Sequence, residues 1–345
     1  FVSPLPENGC LSIRLNLLAI DAIALGDTLG DPLASGRGPY PPLRFSTGLL
    51  TLMFPRRGDA RSTWINPPTP MTVYFNGSYM DKADVSISPD DRGFVFGDGV
   101  YEVARAEDGA LFRLDAHRRR LARSLEAIRI HDVDPDALWE RVRGLLPRNG
   151  LDAGPAKVYL QVTRGAAPRQ HAFPDASTEP TVYARASAHE PPLAKWRDGV
   201  AVILRPDQRW ARCDIKSLNY LPNVLANQAA QEAGAYEALL VRDGFVTEGS
   251  HSSVAAVFDG TVAVHPLTNR TLPSITREVV LELCEDLGRP VETFPVAVDA
   301  LPDADELFLM GTTTGVMPIV QVDDWTVGDG TPGPVAQALL QAFRA

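Results

Sequence analysis

Two residues in the second half of the chain could carry covalent chemistry. Lys216 lies in CDIKSLN, just before a predicted helix, and Glu248 lies in VTEGS, after a predicted strand–turn–strand. A lysine amine can form a Schiff base with a carbonyl carbon, and a carboxylate can pair with a basic ring nitrogen. The two residues would therefore suit a cofactor with a carbonyl at one end of a conjugated system and a ring nitrogen at the other.

The scarcity of lysine strengthens the case for Lys216. The chain holds 33 lysine and arginine residues, and the lysines are Lys82, Lys157, Lys195 and Lys216. Arginine does not lose its proton in proteins, so a lysine kept among many arginines is more often needed as an amine. A lysine in a polar loop is nevertheless usually a solvated charge, and the residue types alone leave that interpretation open.

The segments RCDIKSLNYLPNVLANQ and YEALLVRDGFVTEGSHSSV resemble the lysine and glutamate segments of the fold-type IV pyridoxal-phosphate enzymes. The similarity is greatest to the bacterial D-amino-acid transaminases and runs from about residue 73 to the C-terminus. The resemblance implies that Lys216 binds pyridoxal 5′-phosphate covalently and then moves the substrate proton. It also implies that Glu248 keeps the ring nitrogen protonated, so that the ring can accept electrons.

Further cofactor contacts follow from the same resemblance. Arg120 in HRRRLAR matches a family arginine that binds the phosphate, although such a cluster is otherwise typical of a solvated helix face. Ile275 and Thr276 open a predicted helix whose N-terminus would attract an anion. Ser250 follows the glutamate, and Thr312 lies in a hydroxyl-rich turn, so both are expected to contact the cofactor.

Substrate contacts are implied at Tyr101 in FGDGVYE and at Arg169 and His171 in TRGAAPRQHAFP. In the family, the tyrosine helps to bind the substrate carboxylate, and the loop pair reaches the active site of the partner subunit. Without the resemblance, an exposed Arg-x-His loop would be unremarkable. Two positions depart from the family pattern: His251 replaces a small hydroxyl residue, and Gly311 stands where a serine commonly contributes to phosphate binding.

Length and composition exclude several classes of function. A chain of 345 residues with 45% hydrophobic and 22% charged residues can form two domains with substantial cores. The net charge of −10 disfavours nucleic acid as a partner and leaves small molecules as the expected ligands. Cys10, Cys213 and Cys284 form no disulfide or metal motif, which predicts a reducing cytoplasm and no metal site. No apolar run suits a membrane span.

We predict a mixed α/β fold of type IV, with the cofactor in a cleft between two α/β domains. Residues 1–70, rich in proline and without lysine, are expected to be a dispensable leader, disordered or loosely attached. The alternative is a genuine N-terminal extension that packs on the body. Residues 71–190 would form the smaller domain, residues 191–198 a linker, and residues 199–345 the larger domain. A homodimer is expected from the resemblance.

Local patterns predict individual elements within this fold. Asn-Gly and Asp-Gly pairs between apolar runs predict hairpins at residues 76–77, 243–244 and 259–260. A glycine-punctuated loop is expected at residues 93–99, and one helix at about residues 136–146. Helix caps are expected at the residues Asp115, Asn219, Gly234, Ser274 and Gly288.

The predicted reaction is amino transfer from a D-amino acid of the D-alanine type to a 2-oxo acid such as 2-oxoglutarate, giving pyruvate and D-glutamate. Branched-chain L-amino-acid transaminases, (R)-amine transaminases and aminodeoxychorismate lyases share the lysine and the glutamate, so these two residues do not discriminate among the alternatives. The Arg169–His171 loop is the expected discriminator. A different class of hypothesis is a non-catalytic binding protein that keeps the fold without the cofactor.

Overall fold

Two β-sheets with helices packed against them make up the part of the chain that the structure, a computed structural model, describes, residues 71–345. This arrangement has the predicted mixed α/β character. The predicted leader, residues 1–70, lies outside the described residues, so that interpretation stays a prediction. Within the described range, no helix has both the length and the apolar character needed to cross a membrane.

The first sheet is antiparallel throughout, in the order β2-β1-β6-β5-β3-β4. Its strands are β1 (Thr72–Phe75), β2 (Ser78–Asp81), β3 (Gly99–Glu107), β4 (Ala110–Leu111), β5 (Pro155–Thr163) and β6 (Thr181–Ala188). The helices of this part are α1 (Arg92–Phe96), α2 (Leu114–Ala127), α3 (Pro135–Arg143) and α4 (Leu145–Arg148), with a 3₁₀ turn at Lys82–Asp84.

The second sheet is mixed, in the order β12-β11-β10-β13-β14-β7-β8-β9, and β15 pairs with β14. Its strands are β7 (Val200–Pro206), β8 (Glu237–Arg242), β9 (Phe245–Gly249), β10 (Ser253–Phe258), β11 (Thr261–Val264), β12 (Val291–Thr293), β13 (Glu306–Gly311), β14 (Gly315–Val322) and β15 (Trp325–Thr326). Helices α5 (Leu193–Asp198), α6 (Leu221–Glu232), α7 (Ile275–Asp286) and α8 (Pro334–Arg344) accompany it, with a 3₁₀ helix at Val298–Asp303.

The three predicted hairpin turns are confirmed. Asn76 and Gly77 join β1 to β2 with φ of 41° and 93°, and Asp243 and Gly244 join β8 to β9 with φ of 54° and 81°. The turn between β10 and β11 has the same left-handed pair of residues. Asparagine, aspartate and glycine adopt positive φ most easily, which is why these dipeptides predict such turns.

Two predicted helix caps are wrong. Arg113, in a left-handed conformation, precedes α2, so Asp115 lies inside the first turn, where its charge faces the positive end of the helix dipole. Tyr220 precedes α6 without a side-chain cap, so Asn219 lies one residue too early to cap it. The cap at Ser274 is confirmed, and Gly234 and Gly288 follow their helices with positive φ, as predicted.

Two loop or helix predictions also need correction. The glycine-punctuated segment forms the short helix α1, which ends at Gly97 with φ of 68°. The helix expected at about residues 136–146 is divided at Gly144 into α3 and α4. Pro147 has no N–H to donate to the carbonyl of Arg143, which explains the break.

Each sheet packs on its own hydrophobic core, with Trp139 fully buried in the first and Phe308 in the second. The predicted linker is not extended, because it contains α5, whose Trp196 is buried and donates from Nε1 to the carbonyl of Thr314 at 2.7 Å. The described residues belong to one compact unit. The division into two domains at residues 191–198 therefore stays a prediction.

Candidate active site

Residues from both sheets line a pocket that contains about 710 Å³ of empty space, part of it open to solvent. The structure brings most of the predicted site residues to this pocket, namely Tyr101, Arg120, Lys216, Glu248, Ser250 and Thr312. Ile275 and Thr276 are buried beside it, next to the lining residue Ser274. Arg169 and His171 are not among its lining residues.

Lys216 is held by pairing of its segment with the start of β3. Its carbonyl accepts a hydrogen bond from Tyr101 N at 3.0 Å, and Leu218 N donates to the carbonyl of Gly99 at 3.0 Å. These bonds fix the backbone on both sides of Ser217, so the lysine side chain has a defined origin. Its Nζ lies 4.3 Å from the centre of the Tyr101 ring, at the pocket wall.

Glu248 lies on β9 with 5% of its surface exposed. Its Oε1 accepts a hydrogen bond from Leu272 N at 2.8 Å, and its Oε2 accepts one from Arg209 Nη1 at 2.6 Å. Burial raises the pKa of Glu248 to about 7, although the neighbouring guanidinium of Arg209 acts in the opposite direction. Each carboxylate oxygen has a second lone pair, which leaves acceptor capacity for a ligand.

Arg209 is a buried site residue that the sequence interpretation missed. Its Nε and Nη2 donate to the two carboxylate oxygens of Asp207, each at 2.9 Å, while Nη1 donates to Glu248. Arg242 Nη2 lies 3.0 Å from Asp207 Oδ1. Asp207 and Arg209 stand close together in the sequence, but their proximity to Glu248 depends on the pairing of β7, β8 and β9. No local pattern could have indicated this contact.

Arg120 is buried and paired with a carboxylate, so it does not belong to the solvated face of α2. Its Nε donates to Glu102 Oε1 at 2.7 Å and its Nη2 to Glu102 Oε2 at 2.8 Å, while Nη1 donates to the carbonyl of Pro273 at 3.1 Å. A guanidinium carries five N–H donors, so one donor on each of Nη1 and Nη2 is left for an anion. Arg119, on the same helix, is exposed, as expected of the solvated helix face.

Glu102 orients Arg120 from the side away from the pocket. Burial alone would raise the pKa of this fully buried carboxylate, but the charge and hydrogen bonds of Arg120 and the contact with His117 lower it to about 2. His117 Nδ1 lies 2.8 Å from Glu102 Oε2, and burial lowers the pKa of His117. Glu102 and His117 were also missed, since Glu102 follows Tyr101 on β3 and faces the opposite side of the strand.

The N-terminus of α7 and the turn after β13 supply neutral donors. Ser274 caps α7 by accepting from Arg277 N at 3.2 Å. The N–H groups of Ile275 and Thr276 have no acceptor among the described residues. A helix N-terminus with free N–H groups favours an anion. Thr312 adds a hydroxyl and an N–H from the turn that links β13 to β14, which also lines the pocket.

Glu237 organises the turn that carries Ser250 and His251. Its Oε1 accepts from His251 N at 2.7 Å and from Ser252 N at 3.0 Å. The Ser250 hydroxyl points to the same carboxylate at 3.4 Å, so the structure shows this predicted cofactor contact already engaged by the protein. The backbone carbonyl of Ser250 accepts hydrogen bonds from the Tyr220 hydroxyl at 3.2 Å and from Asn223 Nδ2 at 2.7 Å.

The glycine that departs from the family pattern has a local reason. A Cβ atom at Gly311 would lie 3.2 Å from both Cβ and Oγ1 of Thr314, which is closer than ordinary van der Waals contact. A serine here would require a shift of the following turn. Glycine at this position avoids that close contact with Thr314.

Arg169 and His171 are exposed and do not line the pocket. The guanidinium of Arg169 lies 5.1 Å from the centre of the Phe96 ring, and the His171 ring lies 6.0 Å from it. Arg92 Nη1 donates to the carbonyl of Gln170 at 2.7 Å and ties the loop to α1. The pair is thus preorganised on one aromatic ring, outside the pocket of its own chain.

The pocket fits the cofactor that the sequence resemblance implies. An amine and a buried carboxylate line the same pocket, and its lining also includes the Arg120 guanidinium, the α7 cap Ser274 and Thr312, which are groups suited to a phosphate. Charge-assisted hydrogen bonds from such donors are the usual phosphate contacts. Among residues 71–345, no group of three or more His, Cys, Asp and Glu side chains could hold a metal ion.

Comparison with known proteins agrees with this geometry. The sequence pattern of class IV aminotransferases matches residues 99–322. The D-alanine aminotransferase of Bacillus licheniformis is 43% identical over 79% of this chain and 96% of its own length. The D-alanine aminotransferase of Staphylococcus epidermidis is 41% identical over the same shares of the two chains.

Solved structures give the same family. The branched-chain amino acid aminotransferase of Escherichia coli superposes with a TM-score of 0.74 at 26% identity, covering 80% of this chain and 94% of that one. The branched-chain amino acid aminotransferase of T.th., solved with pyridoxamine 5′-phosphate, has a TM-score of 0.73 at 28% identity, covering 80% and 93%. The predicted fold type is confirmed, and the chain belongs to the class IV aminotransferase family.

Proposed function

We propose that this enzyme is a pyridoxal-phosphate-dependent D-amino-acid transaminase. It would move the amino group of a D-alanine-type substrate to a 2-oxo acid such as 2-oxoglutarate, giving pyruvate and D-glutamate. The observation that carries the proposal is that Lys216 and Glu248 line one pocket in a chain about two-fifths identical to D-alanine aminotransferases, 43% in the case of Bacillus licheniformis. The branched-chain enzymes, at 26% and 28% identity, support the runner-up activity less well.

Lys216 would hold the cofactor through its amine and act as the proton carrier. When bound, pyridoxal 5′-phosphate supplies an electron sink for the electrons of the substrate Cα–H bond. Lys216 Nζ, the amine at the pocket wall, would accept the proton that leaves the substrate Cα. The backbone pairing with β3 limits the path of this side chain and so fixes the face from which it works.

Glu248 would pair with the ring nitrogen and keep it protonated. Its two oxygens are anchored by Leu272 N and Arg209, which orients the remaining lone pairs. A pyridine nitrogen that carries a proton withdraws electrons more strongly than a neutral one, so the charge of Glu248 supports the reaction without touching the substrate.

Arg120, Thr312 and the N–H groups of Ile275 and Thr276 would hold the phosphate. Glu102 holds Arg120 by two hydrogen bonds, which leaves the free edge of the guanidinium fixed for an anion. Ser250 would contribute through the turn that Glu237 organises.

The substrate carboxylate would meet Tyr101 from the same chain and Arg169 and His171 from the partner subunit of a homodimer. The pair is exposed, shares the Phe96 ring and lies outside the pocket of its own chain, which supports a role in a second copy. Arginine binds a carboxylate through two parallel hydrogen bonds, and histidine adds a further donor. Fixing the carboxylate would present the Cα–H bond to Lys216 for one enantiomer.

We also propose a cytoplasmic location, which is supported by the small and odd number of cysteines, with Cys213 and Cys284 free and buried.

A half-reaction monitored by absorbance tests the proposed function. Purified enzyme loaded with pyridoxal phosphate should show a visible band that borohydride bleaches, and D-alanine alone should convert this band to that of the aminated cofactor. L-Leucine and an amine without a carboxylate should convert it far more slowly. Protein that binds no cofactor would favour the non-catalytic binding protein, and faster conversion by L-leucine would favour the branched-chain alternative.

A further inference from the structure

We propose that Arg209 is a positioning residue that keeps Glu248 ionised and oriented toward the cofactor ring nitrogen. The inference rests on the proposed function, since it concerns how the chain maintains the charge that the ring nitrogen requires. Arg209 acts through Glu248 and not through the substrate. It belongs to a row of alternating charges formed by Arg242, Asp207, Arg209 and Glu248, in which the Arg242 side chain is 19% exposed and the other three are 8% or less.

The contacts of Arg209 fix both the place and the direction of its guanidinium. Nε and Nη2 are occupied by Asp207, Nη1 points to Glu248 at 2.6 Å, and Nη2 also donates to the carbonyl of Arg270 at 3.0 Å. The planar fork of arginine can make the paired contact with one carboxylate while a separate N–H reaches the other. Lysine, with a single ammonium, has no such fixed geometry.

Glu248 needs this partner because it is buried. Desolvation favours the neutral carboxyl and raises its pKa, and Arg209 is the strongest influence in the opposite direction. The hydrogen bond from Leu272 N also favours the charged form. Without Arg209, the pKa of the Glu248 carboxyl would rise further. The proton would then be held by Glu248 instead of by the ring nitrogen.

Asp207 prevents Arg209 from opposing the protonated ring. An unpaired guanidinium beside the pocket would repel a positive ring nitrogen, but the two hydrogen bonds from Arg209 to Asp207 neutralise much of this charge. Arg242 in turn neutralises Asp207. The row of two arginines and two carboxylates is therefore neutral overall, and Glu248 is the carboxylate at its pocket end.

Other ionisable groups face Glu248 and must be considered in any pH experiment. Those whose charges interact with Glu248 are Lys216, Arg120, Arg277, Tyr220 and Cys213. None of these five donates a hydrogen bond to the Glu248 carboxylate in the described part of the chain. Arg209 is thus the charged group in direct contact with it.

The direct test is the ¹⁵N signal of pyridoxal phosphate labelled at the ring nitrogen, bound to the full-length enzyme. The chemical shift separates a protonated from an unprotonated pyridine nitrogen and does not depend on turnover. The wild type should show the protonated signal above pH 7, where a carboxyl with a pKa of about 7 is ionised. Arg209→Met should move the signal toward the unprotonated value at neutral pH, and Arg209→Lys should show a smaller movement.

Arg212 provides the matched control. It also binds an aspartate through two hydrogen bonds of 2.9 Å, with Asp214, but it is exposed and does not line the pocket. Arg212→Met and Arg212→Lys should leave the ¹⁵N signal unchanged. The Arg209 variants should also lower kcat by roughly 10- to 100-fold with a smaller effect on KM, because the lost contact supports the reaction and not substrate binding.

A double substitution separates this role from general packing. If Arg209 acts through Glu248, Arg209→Met should move the ¹⁵N signal no further in a Glu248→Gln background, where no ionised carboxylate remains. An unchanged ring-nitrogen signal in folded Arg209→Met would overturn the inference. Should Arg209→Met not fold, a wild-type signal in Arg209→Lys over the whole pH range would overturn it instead. Wild-type protein that binds no cofactor would contradict the proposed function and not this role alone.

Discussion

Two buried glutamates show how local contacts set opposite charge behaviour at the scale of single residues. Glu102 receives two hydrogen bonds from Arg120 and lies beside His117, and its pKa falls to about 2. Glu248 receives one hydrogen bond from Arg209 and one from a backbone N–H, and burial raises its pKa to about 7. The first is a permanent anion that positions Arg120, whereas the second depends on its neighbours for its charge.

Lys216 should be the lysine that carries the cofactor. It lines the pocket, whereas Lys82, Lys157 and Lys195 do not. Borohydride reduction of the loaded enzyme, followed by peptide mapping by mass spectrometry, should place the pyridoxyl group on Lys216. Label on any of the other three would refute the assignment.

The buried charge of Glu102 should make the stability of the protein depend on acid pH. The ordinary pKa of this group is 4.5 and the folded value is about 2, so its contribution is present above pH 4.5 and is lost as the pH falls toward 2. Between pH 5 and pH 3, the wild type should lose on the order of 2 kcal/mol more of its free energy of unfolding than Glu102→Gln does.

Urea unfolding at stepped pH measures this difference. Glu140→Gln is the matched control, because Glu140 also pairs with an arginine, Arg118, at 2.6 Å but is half exposed. Exposed ion pairs contribute little to stability, so this variant should follow the wild type closely. Equal pH slopes for wild type and Glu102→Gln would show that Glu102 is not held as a buried anion.

Sequence alone could predict the residues that act within a recognisable segment. Lys216, Glu248, Arg120 and Thr312 stand in such segments, and the structure places them at one pocket. Arg209 could not be predicted, because its function depends on a contact across 39 positions of sequence that only strand pairing creates. Glu102 is similar, since nothing in FGDGVYE shows that its side chain faces an arginine on α2.

At the scale of elements, local sequence patterns predicted the structure correctly where one or two residues determine the backbone conformation. The Asn-Gly and Asp-Gly turns and the Ser274 cap are of this kind. The caps at Asp115 and Asn219 failed because tertiary contacts moved the helix starts, as in the pairing of residues 216–218 with β3 just before α6. Sheet order depends on contacts between distant segments, and no local pattern predicted it.

The cap of α7 should matter for both stability and cofactor binding. Ser274→Ala removes the acceptor for Arg277 N and should lower the free energy of unfolding by about 1 kcal/mol. It should also weaken the binding of pyridoxal phosphate severalfold, because the N–H groups of Ile275 and Thr276 at the same helix end would lose their alignment with the phosphate. Thermal unfolding and a cofactor titration by fluorescence measure the two effects.

Asp134 gives the control for this effect. It caps α3 by accepting from Asp136 N at 2.9 Å and does not line the pocket. Asp134→Ala should cost a similar free energy of unfolding and leave cofactor affinity unchanged. If both variants bind the cofactor as tightly as the wild type, the helix end is not part of the phosphate site.

At the scale of the whole molecule, we propose that a second subunit completes the substrate site. The lining residues of the pocket include Tyr101 but not Arg169 or His171, which are exposed beside the Phe96 ring. A homodimer with a shared substrate site would bring the two parts together.

The expectation that residues 1–70 are dispensable stays a prediction. A chain beginning at Met71 would test it.

Mixed dimers should reveal the shared site. Lys216→Ala and Arg169→Leu homodimers should each have low activity, the second through a raised KM for D-alanine. Mixing and re-forming equal amounts should restore about a quarter of wild-type activity, because half of the dimers would be mixed and each would contain one complete site. Mixed dimers that recover no activity would show that Arg169 serves its own chain or none.

The configuration of the amino acid product distinguishes a D-amino-acid transaminase from an L-specific one. With D-alanine and 2-oxoglutarate as substrates, chiral chromatography of the glutamate formed by the wild-type enzyme should show the D-enantiomer and an equal amount of pyruvate. L-Alanine in place of D-alanine should give little glutamate of either hand. L-Glutamate as the main product, or faster reaction from L-amino acids, would contradict the account even if Lys216 carries the cofactor.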